Sequence, residues 1–214
     1  MTREMITYYA QRAAEYERIY DKDTWQDDLD WIRTRLPGFF AGRRVFEAAC
    51  GTGYWTRYAA ERARSVHATD INSDTLALAR TKTYAAPVTF ENRDAYAPAA
   101  GPARHDAGLA AFWLSHVDLA RMAEFLRAFH GRLEPGAAVV MFDERDYEDR
   151  RTAASRWDEA GNRYEMRRLA SGAHFEIVKN FFREADLARR LAGHATDLEY
   201  RELRCLWILE YRVG

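Results

Sequence analysis

The sequence predicts an α/β fold, an open sheet of mostly parallel strands that is wound on both faces by helices. Short apolar runs recur along the chain, amphipathic segments separate them, and the last two runs nearly adjoin. Such alternation is typical of parallel strands joined by crossover helices. The predicted strands are 44–49, 65–71, 88–93, 107–113 and 137–143, and the segments with helical spacing are 54–64, 73–84 and 119–133.

Further elements flank this core. Apolar and aromatic side chains recur at helical intervals over residues 1–36, which predicts two helices that end at Pro37-Gly38. Strand-like runs joined by a short turn predict an inserted β-hairpin within 160–182. A helix is predicted at 184–191. The closing runs, 196–203 and 205–213, are too close for a crossover, so we expect antiparallel strands there.

Together these elements predict a single domain over residues 1–214. Its expected parts are a helical segment at 1–36, a sheet core at 40–145, the hairpin at 160–182, and the C-terminal helix and strands at 183–214.

Composition limits the class of function. The 214 residues include 32 Lys and Arg against 33 Asp and Glu, so the net charge of -1 offers little attraction to nucleic acid or an anionic membrane. We expect neither as a partner. Cys50 and Cys205 lack metal-like spacing, and we find no signal peptide or long apolar span, which predicts a cytoplasmic protein without a metal site.

The most informative stretch is V-F-E-A-A-C-G-T-G-Y-W at 45–55. A strand leads through Glu47 into a turn that contains Gly51 and Gly53, and glycines let the backbone lie against a ligand at the strand's carboxyl edge. Asp70 ends the next predicted strand, where a carboxylate accepts hydrogen bonds from two ribose hydroxyls. The pattern predicts a site for a nucleoside derivative.

Details of the turn favour one kind of nucleoside. Thr56 stands where a dinucleotide fingerprint has Gly or Ala, and the Gly-Lys-Ser/Thr ending of a triphosphate loop is missing. The acid Glu47 repels phosphate and suits an ammonium group. An amino-acid nucleoside therefore fits best.

At this point the chain resembles the class I S-adenosylmethionine-dependent methyltransferases. The resemblance covers 40–145, and it rests on three stretches: Glu47-Ala48-Ala49-Cys50-Gly51-Thr52-Gly53, Asn92-Arg93-Asp94-Ala95 and Leu133-Glu134-Pro135-Gly136. It implies a Rossmann-like seven-stranded sheet with an antiparallel C-terminal strand, and S-adenosylmethionine as the cofactor. Residues 8–16 look like the lid helix of family members that act on small molecules.

The resemblance also implies roles for single residues. The cofactor's methionyl part would meet the backbone of the glycine turn, with Glu47 near its amino group. Asp70 would hold the ribose, and Ile71, Asp94 and Ala95 would contact the adenine. The full set of implied cofactor-binding residues is Glu47, Gly51, Thr52, Gly53, Trp55, Asp70, Ile71, Asp94, Ala95 and Phe112, of which Trp55 departs from the family's common third glycine.

Methyl transfer needs a nucleophile held in line, and a base only when the acceptor starts protonated. His116, just past the fourth predicted strand, is the candidate catalytic base, and the alternative is that it braces the following helix. The candidate substrate-binding residues are Tyr8, Tyr9, Arg12, Tyr16, Trp25, Trp113 and Arg145, with Arg167 as a further possible anchor for an anion.

The class of acceptor is inferred mostly from missing motifs. No Asn-Pro-Pro-aromatic tetrapeptide and no glutamate pair follow the fourth strand, which disfavours nucleic acid, release-factor and arginine substrates. Asp143, Glu144 and Asp146 are predicted to be solvated charges and not a magnesium site. We expect a small aromatic or heteroaromatic metabolite, methylated on oxygen or nitrogen, and a monomer or homodimer.

Three alternatives stay open at this level: a quinone-type C-methyltransferase, an NAD-dependent oxidoreductase, which Thr56 disfavours, and a non-catalytic nucleoside-binding protein.

Overall fold

A computed structural model describes residues 2–99, 101–102 and 104–214. Its central sheet has seven strands in the order β3-β2-β1-β4-β5-β10-β9. The first five are parallel, whereas β10 runs antiparallel to both β5 and β9, as the closing runs predicted. The strands are β1 Arg44–Ala48, β2 Ser65–Asp70, β3 Val88–Asn92, β4 His105–Ala111, β5 Leu133–Glu144, β9 Ala195–Glu202 and β10 Leu206–Val213.

Helices α2 Gln26–Phe39, α3 Tyr54–Ala60, α4 Ser73–Arg80, α5 Met122–His130 and α6 Glu184–Leu191 cover the two faces of this sheet. The first helix, α1 Arg3–Arg12, packs instead against the segment inserted after β5 and against α4. Short 3₁₀ turns occur at Ala13–Asp21, Asp23–Trp25, Leu114–His116 and Leu119–Arg121. The Asn72 side chain caps α4 by accepting from the backbone N–H of Asp74 at 3.0 Å.

One predicted boundary is wrong. We expected Pro37-Gly38 to end the second helix, but α2 includes both residues and ends at Phe39. Pro37 lies in the last turn, where the missing N–H removes a single helical hydrogen bond. Leu36 and Pro37 are both buried, and this packing keeps the turn helical.

Successive side chains along a strand pack into two hydrophobic cores, one on each face of the sheet. This confirms the prediction that helices cover both faces. On β1, Val45 packs into the core under α2 and α3, whereas Phe46 packs into the core under α5. On β5, Phe142 packs into the same core as Val45, and Met141 packs into the same core as Phe46. This is the two-residue period expected of strands covered on both faces.

The insertion after β5 is a small sheet of three strands, β6 Arg156–Trp157, β7 Arg163–Arg168 and β8 His174–Val178, in the order β6-β7-β8. The predicted hairpin corresponds to β7 and β8, and β6 is an addition. Tyr8 of α1 packs against Phe175 of β8 with ring centroids 5.7 Å apart. Glu4 also accepts from the backbone N–H of Glu176 at 2.7 Å. The insertion and α1 therefore form one continuous cover.

The prediction of solvated charges is wrong for Asp143 and Glu144, which are both buried. Lys179 lies 3.2 Å from the Asp143 carboxylate and 3.3 Å from that of Glu144, and Arg150 lies 3.1 Å from Glu144. Burial is possible because these cations compensate both carboxylates. Asp146 is exposed, as expected.

Across the described ranges, we find no helix with both the length and the apolar character needed to cross a bilayer.

Candidate active site

The turn after β1 depends on left-handed backbone. Ala49, Gly51 and Gly53 have φ of 54°, 56° and 77°. A Cβ atom on Gly53 would lie 2.3 Å from the Tyr84 hydroxyl and 3.1 Å from the Cβ of Ala79, so only glycine fits there. A Cβ atom on Gly51 would meet nothing within 4 Å, because Gly51 borders a cavity. Gly53 is therefore needed because the neighbouring atoms pack too closely for a side chain, whereas Gly51 leaves its backbone exposed to the cavity.

Asp70 ends β2 beside this turn. One carboxylate oxygen accepts from the N–H of Gly51 at 2.9 Å, and the other accepts from the N–H of Asn72 at 2.8 Å. Burial raises the pKa of Asp70, and these hydrogen bonds oppose the rise. The carboxylate is thus fixed in orientation at the edge of the cavity, as a ribose contact requires.

Glu47 lies behind the turn with 1% of its surface exposed. Its Oε2 atom accepts from the Thr56 hydroxyl at 2.7 Å, while Oε1 is buried and has no hydrogen-bond partner among the described residues. Burial raises the pKa of Glu47 to about 8. An unpartnered acceptor at this point fits the ammonium group of an amino-acid nucleoside.

The first cavity lies at the carboxyl ends of β1 to β4 and has a volume of about 60 Å³. Six predicted cofactor-binding residues line it: Gly51, Asp70, Ile71, Asp94, Ala95 and Phe112. Ile6, Tyr9 and Tyr16 of the N-terminal segment close it from above. Ligand pockets usually measure ~300 to 1,000 Å³, so the wall of this cavity must widen when a cofactor binds.

Four predicted cofactor-binding residues do not line this cavity. Glu47 and Gly53 lie behind its wall, as described. The Thr52 hydroxyl donates to the carboxylate of Glu17 at 2.5 Å. Trp55 is a correction, because its indole N–H donates to the Tyr20 hydroxyl at 3.0 Å and its ring packs against Phe112. Trp55 therefore packs behind Phe112, which lines the cavity, and does not itself reach the cavity.

A second cavity of about 710 Å³ adjoins the first. Tyr9, Tyr16, Phe112 and His116 line both. The wall of the second cavity contains eight basic side chains and three acidic ones. The basic residues are Arg12, Arg18, Lys22, Arg150, Arg151, Arg167, Arg168 and Lys179, and the acids are Glu15, Glu144 and Asp149. This cavity is therefore electrostatically suited to an anion.

Most predicted substrate-binding residues border the second cavity, namely Tyr8, Tyr9, Arg12, Tyr16, Trp25 and Arg167. Trp113 lines only the first. Arg145 is a correction: its guanidinium donates to the Leu203 carbonyl at 2.9 Å and pairs with Glu202. The turn between β9 and β10 thus holds Arg145 away from both cavities.

Sequence reasoning missed Lys22, Arg150 and Lys179. The signal for Lys179 was present, because this lysine falls inside a predicted strand-like run, as Asp143 does in another. Charges of opposite sign in two buried runs indicate a buried pair. Lys22 and Arg150 lie in irregular segments, where no periodicity marks them.

His116 lies at the boundary of the two cavities and is buried. Its Nδ1 atom lies 2.7 Å from the Val178 carbonyl, and its Nε2 atom lies 2.8 Å from the Tyr9 hydroxyl. Burial, followed by the positive charge of Lys179, lowers the pKa of His116 to about 4. The imidazole is therefore neutral at physiological pH.

The strand order, the glycine turn and the aspartate after β2 define an enzyme that binds a nucleoside cofactor at the carboxyl edge of its sheet. Residues 45–136 match the family described as "Methyltransferase domain". This match over the cofactor-binding core, together with the solved structures described next, supports a class I S-adenosylmethionine-dependent methyltransferase with S-adenosylmethionine as its cofactor. The same findings favour an enzyme of this kind over the oxidoreductase and non-catalytic alternatives.

Similar solved structures extend over nearly the whole chain. DhpI in complex with SAH is 28% identical with a TM-score of 0.81, covering 99% of this chain and 96% of that chain. DhpI in complex with SAM and HEP is 27% identical with a TM-score of 0.80, covering 98% and 96%. SAM-bound CalS10, an amino pentose methyltransferase from Micromonospora echinaspora, shares the fold at 20% identity, a TM-score of 0.60 and coverage of 92% and 96%. A search of curated proteins finds no significant sequence match.

Proposed function

We propose that this enzyme methylates an oxygen or nitrogen atom of a small organic anion that binds in the second cavity. The observation that carries the proposal is the eight-to-three excess of basic over acidic side chains in that wall. A neutral acceptor would leave without a partner those basic side chains that form no ion pair among the described residues, namely Arg12, Lys22, Arg151 and Arg168. The aromatic lining, which includes Tyr8, Trp25 and Tyr147, is in keeping with the predicted aromatic or heteroaromatic acceptor.

Several basic residues of this wall are already neutralised. Lys179 pairs with Asp143 and Glu144, and Arg167 pairs with Glu165 at 2.6 Å. Within residues 2–99, 101–102 and 104–214, Arg12, Lys22, Arg151 and Arg168 of this wall form no ion pair, and of these four only Arg12 is half-buried while the others are exposed to solvent. Arg12 is therefore the side chain that we expect to contact the acceptor's anionic group.

The surroundings of Arg12 support this role. Its Nη1 atom donates to the Tyr8 hydroxyl at 3.0 Å, and the guanidinium lies over the rings of Tyr8 and Tyr16 at 5.7 and 5.4 Å. These contacts orient the side chain without cancelling its charge. The remaining donors of its planar fork suit a carboxylate or a similar oxyanion.

The chemistry divides between the two cavities. Bound in the first cavity, S-adenosylmethionine supplies a methyl group already activated by its sulfonium. Asp70 and the backbone at Gly51 would hold the nucleoside and methionyl parts, with Glu47 near the ammonium group. Tyr16 and Phe112 border both cavities, so they exclude water where the nucleophile meets the methyl group. Most of the rate gain then comes from holding the nucleophile in line.

His116 supplies the base that a protonated acceptor needs. Because Nδ1 faces a carbonyl, which only accepts, Nδ1 carries the ring's hydrogen and Nε2 keeps its lone pair. That lone pair faces the Tyr9 hydroxyl, which lines both cavities at the boundary where the nucleophile must lie. A quinone-type C-methyltransferase stays the second candidate, and the cationic wall disfavours it because such acceptors are neutral and apolar.

The test compares three acceptors in a steady-state assay of S-adenosylhomocysteine formation. 4-Hydroxybenzoate carries both the anion and the ring, methyl 4-hydroxybenzoate lacks the anion, and 4-hydroxycyclohexanecarboxylate lacks the aromatic ring. We expect the first to be the best acceptor and the ester to be the worst. Equal turnover of the acid and the ester contradicts the anion requirement, and equal turnover of the two acids contradicts the aromatic preference.

A variant pair locates the anion contact. Arg12→Gln should raise the KM for 4-hydroxybenzoate by about 10-fold to 100-fold, the usual worth of a hydrogen bond to a charged group. Its affinity for S-adenosylmethionine should not change. Arg189→Gln, on α6 and outside both cavities, is the matched control. An unchanged KM in a folded Arg12 variant assigns the anion to another cation.

A further inference from the structure

His116 cannot meet the acceptor directly in this structure, because its lone pair is already engaged. The Nδ1 atom carries the hydrogen, since its partner is the Val178 carbonyl. The Tyr9 hydroxyl must therefore be the donor in its 2.8 Å contact with Nε2. A neutral imidazole has one lone pair in the ring plane, and Tyr9 occupies it.

The Tyr9 hydroxyl itself keeps an unused acceptor position. Its oxygen donates to His116, and no donor among the described residues bonds to it in return. Tyr9 lines both cavities, so this oxygen lies where the nucleophile and the methyl group must meet. A protonated acceptor atom can donate to Tyr9 while Tyr9 donates to His116.

Tyr9 is also firmly held. Its ring makes edge contacts with Tyr8, Tyr16 and His116 at centroid distances of 4.9, 5.9 and 5.4 Å. The amide of Asn72 donates to the carbonyl of Ile6 at 3.0 Å, and Glu4 holds the other side of α1 to β8. Displacing the phenol from His116 would break its hydrogen bond and disturb the three ring contacts, whereas passing a proton through it disturbs none of them.

We propose that Tyr9 is a catalytic proton relay between the acceptor and His116, an inference that rests on the proposed methylation of a protonated oxygen or nitrogen. The acceptor's proton passes to the Tyr9 oxygen as the Tyr9 proton passes to Nε2 of His116. The acceptor's electron pair forms the new bond to the methyl carbon, and the carbon–sulfur bond breaks with its pair retained by sulfur. The products are the methylated acceptor, a neutral thioether and protonated His116, which returns its proton to solvent.

The state of the phenol agrees with a relay. Burial, together with the neighbouring Tyr16 and Tyr8, raises the pKa of Tyr9 well above its ordinary value. A neutral phenol accepts one proton while it gives up another, so no phenolate has to persist in the site. Positive charge finally rests on the imidazole, where burial and Lys179 disfavour it and the Asp143 carboxylate partly compensates, so the proton is readily passed on to solvent.

The experiment uses Tyr9→Phe, which keeps the ring and removes the relay oxygen. With 4-hydroxybenzoate in single-turnover assays, we expect the transfer rate to fall about 10²-fold or more, within the range of general acid–base effects. S-adenosylmethionine affinity should stay within about threefold of the parent value. Tyr58→Phe removes a phenol oxygen outside both cavities and should change neither quantity.

Two further readouts separate a relay from a structural role. The rate in mixtures of light and heavy water should curve for the parent enzyme, because two protons move, and should become linear in Tyr9→Phe. The ¹⁵N shift of His116 Nε2 should differ between these proteins without any acceptor. A Tyr9→Phe transfer rate equal to or above the parent rate overturns the relay. It would show that the Tyr9 side chain leaves His116 when the acceptor binds.

Failure of the proposed function has a different signature. If the parent enzyme methylates none of the three acceptors, the proposed acceptor class is wrong. The ¹⁵N comparison still decides the relay's first requirement in that case, because an unchanged Nε2 shift in Tyr9→Phe shows that the Tyr9–His116 contact is absent in solution. If the parent enzyme is active and Tyr9→Phe is equally active, only the relay is overturned.

Discussion

Asp70 and Gly51 are joined by a hydrogen bond of 2.9 Å from the backbone N–H of the glycine to the carboxylate of the aspartate. This bond connects the end of β2 to the turn after β1, so the two stretches that sequence reasoning paired are in direct contact. The proposed ribose and methionyl contacts are thus built as one unit. A change at either residue should affect both.

We predict that Asp70→Ala weakens S-adenosylmethionine binding by about 10²-fold, because hydrogen bonds to a charged group contribute ~1.5 to 3 kcal/mol each. Calorimetric titration measures the effect. Asp70→Asn keeps one acceptor oxygen for the local backbone and should bind more tightly than the alanine variant. A folded Asp70→Ala protein with parental affinity would contradict the ribose assignment.

The two glycines of the turn should respond differently to alanine. Gly53→Ala places a Cβ atom 2.3 Å from the Tyr84 hydroxyl at a φ of +77°, so we expect a clear loss in thermal unfolding temperature. Gly51→Ala meets no atom within 4 Å and should destabilise less, while its methyl group enters the cofactor cavity and weakens binding. Equal stability losses in the two variants would show that left-handed strain, and not close packing, governs this turn.

Cofactor binding should release a proton. The pKa of Glu47 is raised to about 8, so its carboxyl group is mostly protonated at about pH 7. A nearby ammonium group lowers that pKa, so the proton leaves on binding and the affinity increases as the pH rises toward 8. Calorimetry in buffers of different ionisation enthalpy measures the release. Glu47→Gln should abolish it, and a buffer-independent enthalpy in the parent protein would place the ammonium group elsewhere.

The activity profile should be flat near neutral pH. A base acts in its neutral form, and the pKa of His116 is about 4, so turnover should stay constant above about pH 6 and fall as the pH approaches 4. The charged groups that set this pKa are Lys179 and Arg167, which lower it, and Asp143, which raises it. His116→Gln should cut turnover by about 10²-fold without changing cofactor affinity. A midpoint near pH 6.5 would identify another base.

Lys179→Met should destabilise the fold by about 3 to 5 kcal/mol, because two buried carboxylates lose their shared cation. Denaturant titration measures the loss. The double variant Lys179→Met with Asp143→Asn should recover part of it, since only Glu144 then stays charged and Arg150 still pairs with it. No recovery would show that the lysine's hydrogen bond to Ser115 is the larger contribution.

The centre of the sheet could be predicted from the sequence because β1, β4, β5 and β10 are mostly buried and appear as largely apolar runs, whereas the edge strands β3 and β9 are more exposed and more polar. The position of the first cavity was also largely predictable, since Gly51 and Asp70 stand at the ends of predicted strands where parallel sheets bind ligands. β6 escaped notice because Arg156 and Trp157 are exposed and form too short a run.

The second cavity was less predictable, because its wall comes from segments that are distant in the sequence. Lys22, Arg150 and Lys179 become neighbours only when the N-terminal segment and the insertion fold over β5. Arg145 was predicted to be a substrate-binding residue because it follows β5 at the carboxyl edge of the sheet. Its guanidinium donates instead to the Leu203 carbonyl in the turn between β9 and β10. Neither outcome leaves a periodic signal in the local sequence.

Helix α1 is common to both cavities, since Tyr9 borders each of them, Ile6 closes the first and Arg12 faces the second. Two ligands that both require this helix to be closed cannot bind independently. An acceptor that holds α1 down must lower the cofactor's dissociation constant, and the cofactor must lower the acceptor's by the same factor. We therefore expect the cofactor and the acceptor to bind cooperatively. The first ligand to bind supplies the free energy needed to close α1, and the second ligand no longer has to.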